Sequence, residues 1–95
     1  MNRYESVCIL AQNCTSDDVS NMMVKIQDKI GEFSNAPISF ENIGKRKLAY
    51  EIKKNTEGYY LVVKFQAEAT DISELQRFYR INDKIIKFLT IKEDE

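Results

Sequence analysis

The sequence contains no histidine, and this absence excludes several kinds of active site. Without an imidazole ring there is no serine–histidine or cysteine–histidine pair, and no zinc site with a histidine ligand. The three glycines, Gly31, Gly44 and Gly58, stand far apart, so no glycine-rich loop is available to cradle a phosphate group. The sequence therefore lacks most of the sites that catalysis would need, and it predicts no catalytic residue, no metal ligand and no cofactor.

Cysteine is scarce, and no long apolar run is present. The two cysteines, Cys8 in an apolar stretch and Cys14 in a polar one, have no Cys-x-x-Cys spacing. They predict free thiols in a reducing compartment, with a disulfide or a metal pair as the alternative. No segment approaches the roughly 20 apolar residues of a membrane helix, and the chain start lacks a signal-peptide pattern. We therefore expect a cytoplasmic protein with no membrane partner.

Charge is distributed unevenly along a chain whose net charge is only −1. Residues 45–64, called here the first basic block, hold six basic and two acidic residues, which gives +4. Residues 77–92, the second basic block, hold five basic and one acidic residue, which also gives +4. Residues 1–44, 65–76 and 93–95 each carry −3. Because local fields decide what a surface attracts, this pattern indicates a polyanion as partner, with a merely solvated face as the alternative.

The apolar pattern predicts the element order β-α-β-β-α-β in one domain, residues 1–95. Tyr4–Ala11 and Tyr59–Ala67 are apolar on both faces, which is typical of central strands. Apolar steps of three and four predict helices over residues 19–33 and 72–79. The remaining predicted elements are a strand over residues 38–53 interrupted near Gly44, a hairpin connection over residues 54–58 and a last strand over residues 85–91. This order predicts an α+β, ferredoxin-like sandwich, in which two helices cover one face of a four-stranded antiparallel sheet.

Capping signals precede both predicted helices. Thr15 is followed three residues later by Asp18, which resembles a capping box. Asp17 and Asp18 also suit the positive end of a helix, so we interpret them as capping residues rather than as a cation site. Thr70 or Asp71 is the predicted cap of the second helix.

Residues 44–52, Gly-Lys-Arg-Lys-Leu-Ala-Tyr-Glu-Ile, alternate in the manner of a half-buried strand. Leu48, Tyr50 and Ile52 share one face, while Lys45 and Lys47 fall on the other, cationic face. Tyr50 is predicted to be a core residue whose hydroxyl reaches a partner at the sheet edge.

This nonapeptide resembles the signature of the ribosomal small-subunit protein six family. The resemblance extends over nearly the whole chain, through residues 3–5 (Arg-Tyr-Glu), 58–60 (Gly-Tyr-Tyr) and 80–83 (Arg-Ile-Asn-Asp). It implies a non-enzymatic structural component of the small ribosomal subunit, with no small-molecule substrate. It further implies binding to the central domain of the small-subunit ribosomal RNA together with small-subunit protein eighteen.

The basic residues are the candidate RNA contacts, and we expect them to bind phosphates without reading a base sequence. Tyr60, on a sheet face with Val62 and Lys64, is interpreted first as a sheet residue, with base stacking as the alternative.

Two rival functions on the same architecture stay open. They are a dimeric, small-molecule-binding regulatory domain and a small hydrolase. The predicted RNA-binding residues are Arg3, Lys45, Arg46, Lys47, Lys54, Arg77, Arg80 and Lys92.

Overall fold

Four strands form one antiparallel sheet in the order β2-β3-β1-β4, and two helices cover one of its faces. The computed structural model describes residues 1–93; Asp94 and Glu95 of the acidic tail lie outside the described residues. The elements are β1 (Asn2–Ala11), α1 (Ser16–Gly31), β2 (Ser39–Ile52), β3 (Asn55–Ala67), a 3₁₀ turn (Ala69–Asp71), α2 (Ile72–Ile81) and β4 (Ile85–Lys92). This topology confirms the predicted ferredoxin-like fold, with the first and third strands in the middle. Within residues 1–93, neither helix has the length and apolarity needed to span a membrane.

The main core lies between the helices and the sheet, because alternate residues of β1 and β3 point toward the helices. Cys8 and Leu10 of β1 are fully buried there. Leu61 and Val63 of β3 are each only 1% exposed. The helices contribute their apolar stripes to the same core, namely Val19, Met22, Ile26 and Ile30 from α1 and Leu75 and Tyr79 from α2.

The start of α1 has the predicted capping box. Asp18 N donates to Thr15 Oγ1 at 3.1 Å, and Thr15 N donates to Asp18 Oδ2 at 2.9 Å. The predicted start of α2 is confirmed in position, since Asp71 is the cap residue before Ile72, but a 3₁₀ turn precedes the helix and the predicted capping bond is absent. The Asp71 side chain accepts a hydrogen bond from Glu68 N, which lies before that turn, and makes no capping bond to α2.

The β2–β3 connection is shorter than predicted and lies earlier in the chain. Ile52 pairs with Asn55, so the turn consists of Lys53 and Lys54 alone, and residues 55–58 already belong to β3. The sequence did not indicate this turn, because two-residue hairpin turns favour Asn-Gly and two lysines are not a turn signal. Gly58 is therefore not a turn residue. A Cβ at Gly58 would overlap Ile9 Cγ2, so glycine allows the close approach of β3 to β1.

The end of β2 bulges and curls over the open face of the sheet, the face that carries no helix. Between two paired positions β2 advances five residues, from Lys47 to Ile52, while β3 retreats two, from Glu57 to Asn55. The extra residues carry the chain inward, and Leu48 joins a second small cluster of buried residues on this face. That cluster, the open-face cluster, consists of Ile9, Leu48 and Ile86.

Candidate nucleic-acid interface

Three consecutive cations occupy the exposed edge of the sheet, because β2 has a neighbouring strand on one side only. Lys45, Arg46 and Lys47 are all exposed. Lys45 Nζ lies 5.7 Å from the centre of the Tyr59 ring, and Arg46 Nη1 donates to the carbonyl oxygen of Lys45 at 3.1 Å. None of the three ammonium or guanidinium groups forms an ion pair with a carboxylate of residues 1–93. These charges, called here the edge cations, are available to an external anion.

Beyond the edge cations, the β2–β3 turn lies next to the β1–α1 loop and the start of β4. Lys53 and Lys54 line an open cleft of about 420 Å³ together with Gln12 and Asn13 of the β1–α1 loop. Ile86 at the start of β4 lines the same cleft. The predicted RNA contact Lys54 therefore lies next to the beginning of β4, which the sequence pattern did not indicate.

The second basic block is only partly available to an external anion. Lys84 Nζ donates to Asp18 Oδ1 at 2.8 Å, and Lys87 Nζ lies 2.6 Å from the Tyr50 hydroxyl and 5.0 Å from its ring centre. Arg77 and Arg80, in contrast, are exposed on α2 and make no ion pair with the other described residues. Of the cations counted in this block, Lys84 is thus paired with a carboxylate of the same chain, whereas Lys87 keeps its charge beside a neutral tyrosine.

The predicted contacts Arg3 and Lys92 lie at the far end of the sheet. Lys92 pairs with Tyr4 in the β1–β4 ladder, and Glu93 N donates to the carbonyl oxygen of Arg3 at 2.8 Å. At the usual rise of a strand, Arg3 lies roughly 26 Å along β1 from Ala11, which borders the cleft. The eight predicted residues therefore form separate groups: the edge cations with Lys54 beyond them, Arg77 and Arg80 on α2, and Arg3 with Lys92.

The two tyrosines of the open face differ in their surroundings. Tyr50 is 60% exposed, so its prediction as a core residue is wrong, although its hydroxyl does reach a partner, Lys87. The reason is the bulge, which buries Leu48 but carries the following tyrosine out toward solvent. Tyr60 is half-buried and packs against the open-face cluster. This position favours its interpretation as a sheet residue.

The thiols are protected by the fold. Cys8 and Cys14 are both free and buried. Burial raises the pKa of Cys8 to about 12, and burial, with the Asp18 carboxylate as a smaller cause, raises that of Cys14. Residues 1–93 contain no group of three or more Cys, Asp or Glu side chains that could hold a metal ion. Both thiols therefore stay protonated near neutral pH and are poor nucleophiles.

Exposed lysine and arginine side chains are the groups that contact nucleic-acid phosphates in many proteins. The family described as "Ribosomal protein S6" matches residues 3–92. A curated relative from Desulfatibacillum aliphaticivorans, named small ribosomal subunit protein bS6, is 41% identical over 95 residues, which are all of this chain and 51% of that protein. The chain thus spans about half the length of that relative.

Two further matches cover more of the other chain. The bS6 protein of Gloeobacter violaceus is 33% identical over 93 residues, 98% of this chain and 97% of that protein. A crystal structure of 30S ribosomal protein S6 from Thermotoga maritima superimposes with a TM-score of 0.89 at 35% identity, covering 97% of this chain and 87% of that one. The chain therefore belongs to the ribosomal protein S6 family, and it is a non-enzymatic component of the small ribosomal subunit.

Proposed function

We propose that this chain binds small-subunit ribosomal RNA, in its central domain, chiefly through the edge cations. The observation that carries the proposal is the edge strand itself, where Lys45, Arg46 and Lys47 are adjacent, exposed and not paired with a described carboxylate. A component of a bacterial small subunit is located in the cytoplasm, as expected from the sequence.

The chemistry of the edge cations favours phosphate contacts over base recognition. Lysine is a compact point charge, and arginine can donate two parallel hydrogen bonds to one phosphate. Because Arg46 lies between Lys45 and Lys47 along β2, its side chain extends to one side of the edge strand and the two lysines extend to the other. Such an edge fits into a groove between phosphates of folded RNA by shape and charge.

We further propose that small-subunit protein eighteen binds beside this chain and strengthens its hold on the RNA. A protein of net charge −1 gains little counterion release by itself, and a cationic partner adds both charge and contact area. The open face of the sheet offers an apolar surface for such a partner. On β4, Leu89 is 58% exposed and Ile91 47% exposed, beside the half-buried Val7 of β1.

Substitution of single edge cations tests the RNA contact. Arg46→Ala and Lys47→Ala should each weaken retention in reconstituted small subunits and lower the salt slope of binding by about one, while the melting temperature stays nearly constant. Lys25→Ala, which removes one exposed charge from α1, is the matched control and should be retained like the wild type. Equal retention of all three variants at every salt concentration would contradict the proposal.

Titration of the isolated chain tests the cooperative part. At about 150 mM salt the chain alone should bind a central-domain RNA fragment weakly. Addition of protein eighteen should tighten this binding by a factor of roughly 5 to 150, the range that is typical of coupled sites. Tight binding by the chain alone, unchanged by the partner, would show that the pair is not needed.

A further inference from the structure

The β2–β3 turn has a backbone conformation that lysine rarely adopts. Lys53 has φ of +47° and Lys54 has φ of +67°, which places two consecutive non-glycine residues in the left-handed region. A two-residue hairpin connection with positive φ at both positions corresponds to a type I′ turn, for which Asn-Gly is the favoured sequence. Two lysines at these positions are strained, and strain of this kind concentrates at functional sites.

Neighbouring side chains hold the turn in this conformation. Asn55 Nδ2 donates to the carbonyl oxygens of Ile52 at 3.2 Å and Lys53 at 3.0 Å, while Asn55 Oδ1 accepts from Gln12 N at 2.9 Å. Gln12 Oε1 in turn accepts from the backbone N–H groups of Thr56 and Glu57. These bonds tie the turn to the end of β1, so the strained lysines are kept in a fixed position.

The fixed turn presents hydrogen-bond donors to a cleft. Lys53 and Lys54 line this cleft of about 420 Å³ with Gln12 and Asn13. Neither ammonium group, nor the Gln12 Nε2 group or the Asn13 side chain, bonds to another residue of the described chain. Asp83 supplies the one carboxylate among the lining residues and pairs with neither lysine. The cleft thus combines two cations with amide donors, the combination that binds a phosphate.

We propose that Lys53 and Lys54, together with Gln12 and Asn13, form a phosphate-binding site that holds the ribosomal RNA backbone. Asn-Gly would fit this backbone better but would remove both cations. This inference rests on the proposed RNA-binding function and adds to it a second contact, separate from the edge cations. Gln12 and Asn13 lie outside the residues that charge patterning predicts, because the amide groups are neutral.

Three double variants separate charge from strain at the turn. Lys53→Asn/Lys54→Gly removes both charges and the strain. Lys53→Gln/Lys54→Gln removes the charges but keeps the strain, and Lys53→Arg/Lys54→Arg keeps both. Each full-length variant is reconstituted into small subunits, the retained fraction is measured as salt rises, and the melting temperature of the free protein is recorded.

The Asn-Gly variant should melt about 5 °C higher than the wild type, because it relieves the strained turn. It should nevertheless bind the subunit roughly 10-fold more weakly at about 150 mM salt, with a lower salt slope. The Gln-Gln variant should show the same loss of binding without the higher melting temperature. The Arg-Arg variant should match the wild type in both measurements.

Retention of the Asn-Gly and Gln-Gln variants at wild-type salt concentrations would overturn the inference, and so would an unchanged melting temperature of the Asn-Gly variant. If these variants are retained normally while Arg46→Ala and Lys47→Ala are lost, only the turn site is wrong and the proposed function stands. If the wild-type chain itself shows no salt-dependent retention, both proposals fail together.

Discussion

The two basic blocks carry the same net charge in the sequence, +4 each, yet the structure uses their cations differently. In the first block, none of the edge cations pairs with a described carboxylate. In the second block, Lys84 is bonded to Asp18 and Lys87 contacts Tyr50. A count of basic residues therefore overestimates the charge that the second block offers to a partner, because Lys84 is already paired with a carboxylate of the same chain.

The two blocks also differ in the apolar residues beneath them. The second block includes the end of α2 and all of β4. These two elements pack on the main core through residues such as Leu75, Tyr79 and Ile85. In the first block, Leu61 and Val63 of β3 also belong to the main core, but the segment after the edge cations is anchored through Leu48 in the open-face cluster, a much smaller group of buried residues. Substitutions beneath the first block should therefore change the position of its cations as well as the stability of the fold.

Leu48→Ala should give the largest effect, a loss of about 2 to 4 kcal/mol in the free energy of unfolding, because it removes a side chain that is 7% exposed from the open-face cluster. Tyr50→Ala, two residues later and 60% exposed, should lose no more than about 1 kcal/mol, the order of an exposed cation–π contact. Urea unfolding of both variants measures the difference. Equal losses would mean that the bulge does not separate a buried face from an exposed one.

Gly58→Ala should cost about 1 to 3 kcal/mol, because the added methyl group would overlap Ile9 and lie 3.0 Å from the carbonyl oxygen of Leu10. The matched control is Gly31→Ala at the end of α1, where a Cβ would meet nothing within 4 Å. That substitution should be neutral or slightly stabilising. Thermal unfolding of the pair provides the measurement, and a stable Gly58→Ala protein would show that β3 can move away from β1.

The Asp18–Lys84 contact should give the smallest effect, visible only in its pH dependence. The hydrogen bond from Lys84, with the Thr15 backbone N–H as a further cause, lowers the pKa of Asp18 from 3.8 to about 2. Because the folded-state pKa is the lower one, the stabilisation is present above pH 3.8 and is lost as pH falls through about 2.

The melting temperature of Asp18→Asn should therefore lie slightly below that of the wild type at pH 5, and the gap should close toward pH 2. Asp28→Asn, which alters an exposed acid of α1 that has no hydrogen-bond or ion-pair partner among residues 1–93, is the control. A gap that widens as the pH falls would contradict the assigned contact.

Most of the fold was predictable because period and capping are local properties. Two-sided apolar runs identified β1 and β3 as central strands, and Thr15 with Asp18 located the start of α1. The site was less predictable. Leu48 and Tyr50 share one phase of the alternation, yet only Leu48 is buried, because a bulge interrupts the pairing between them and β3.

The amino-acid sequence by itself determined the element order, the absence of histidine chemistry, the two basic blocks and the motif through which the family was recognised. The tertiary structure decided which cations are available, how Lys53 and Lys54 turn the chain, and that this turn meets Gln12 and Asn13. The physical reason is the separation along the sequence over which each kind of interaction acts. Propensity and alternation act between near neighbours, whereas a bulge, an ion pair or a shared cleft joins residues that lie tens of positions apart.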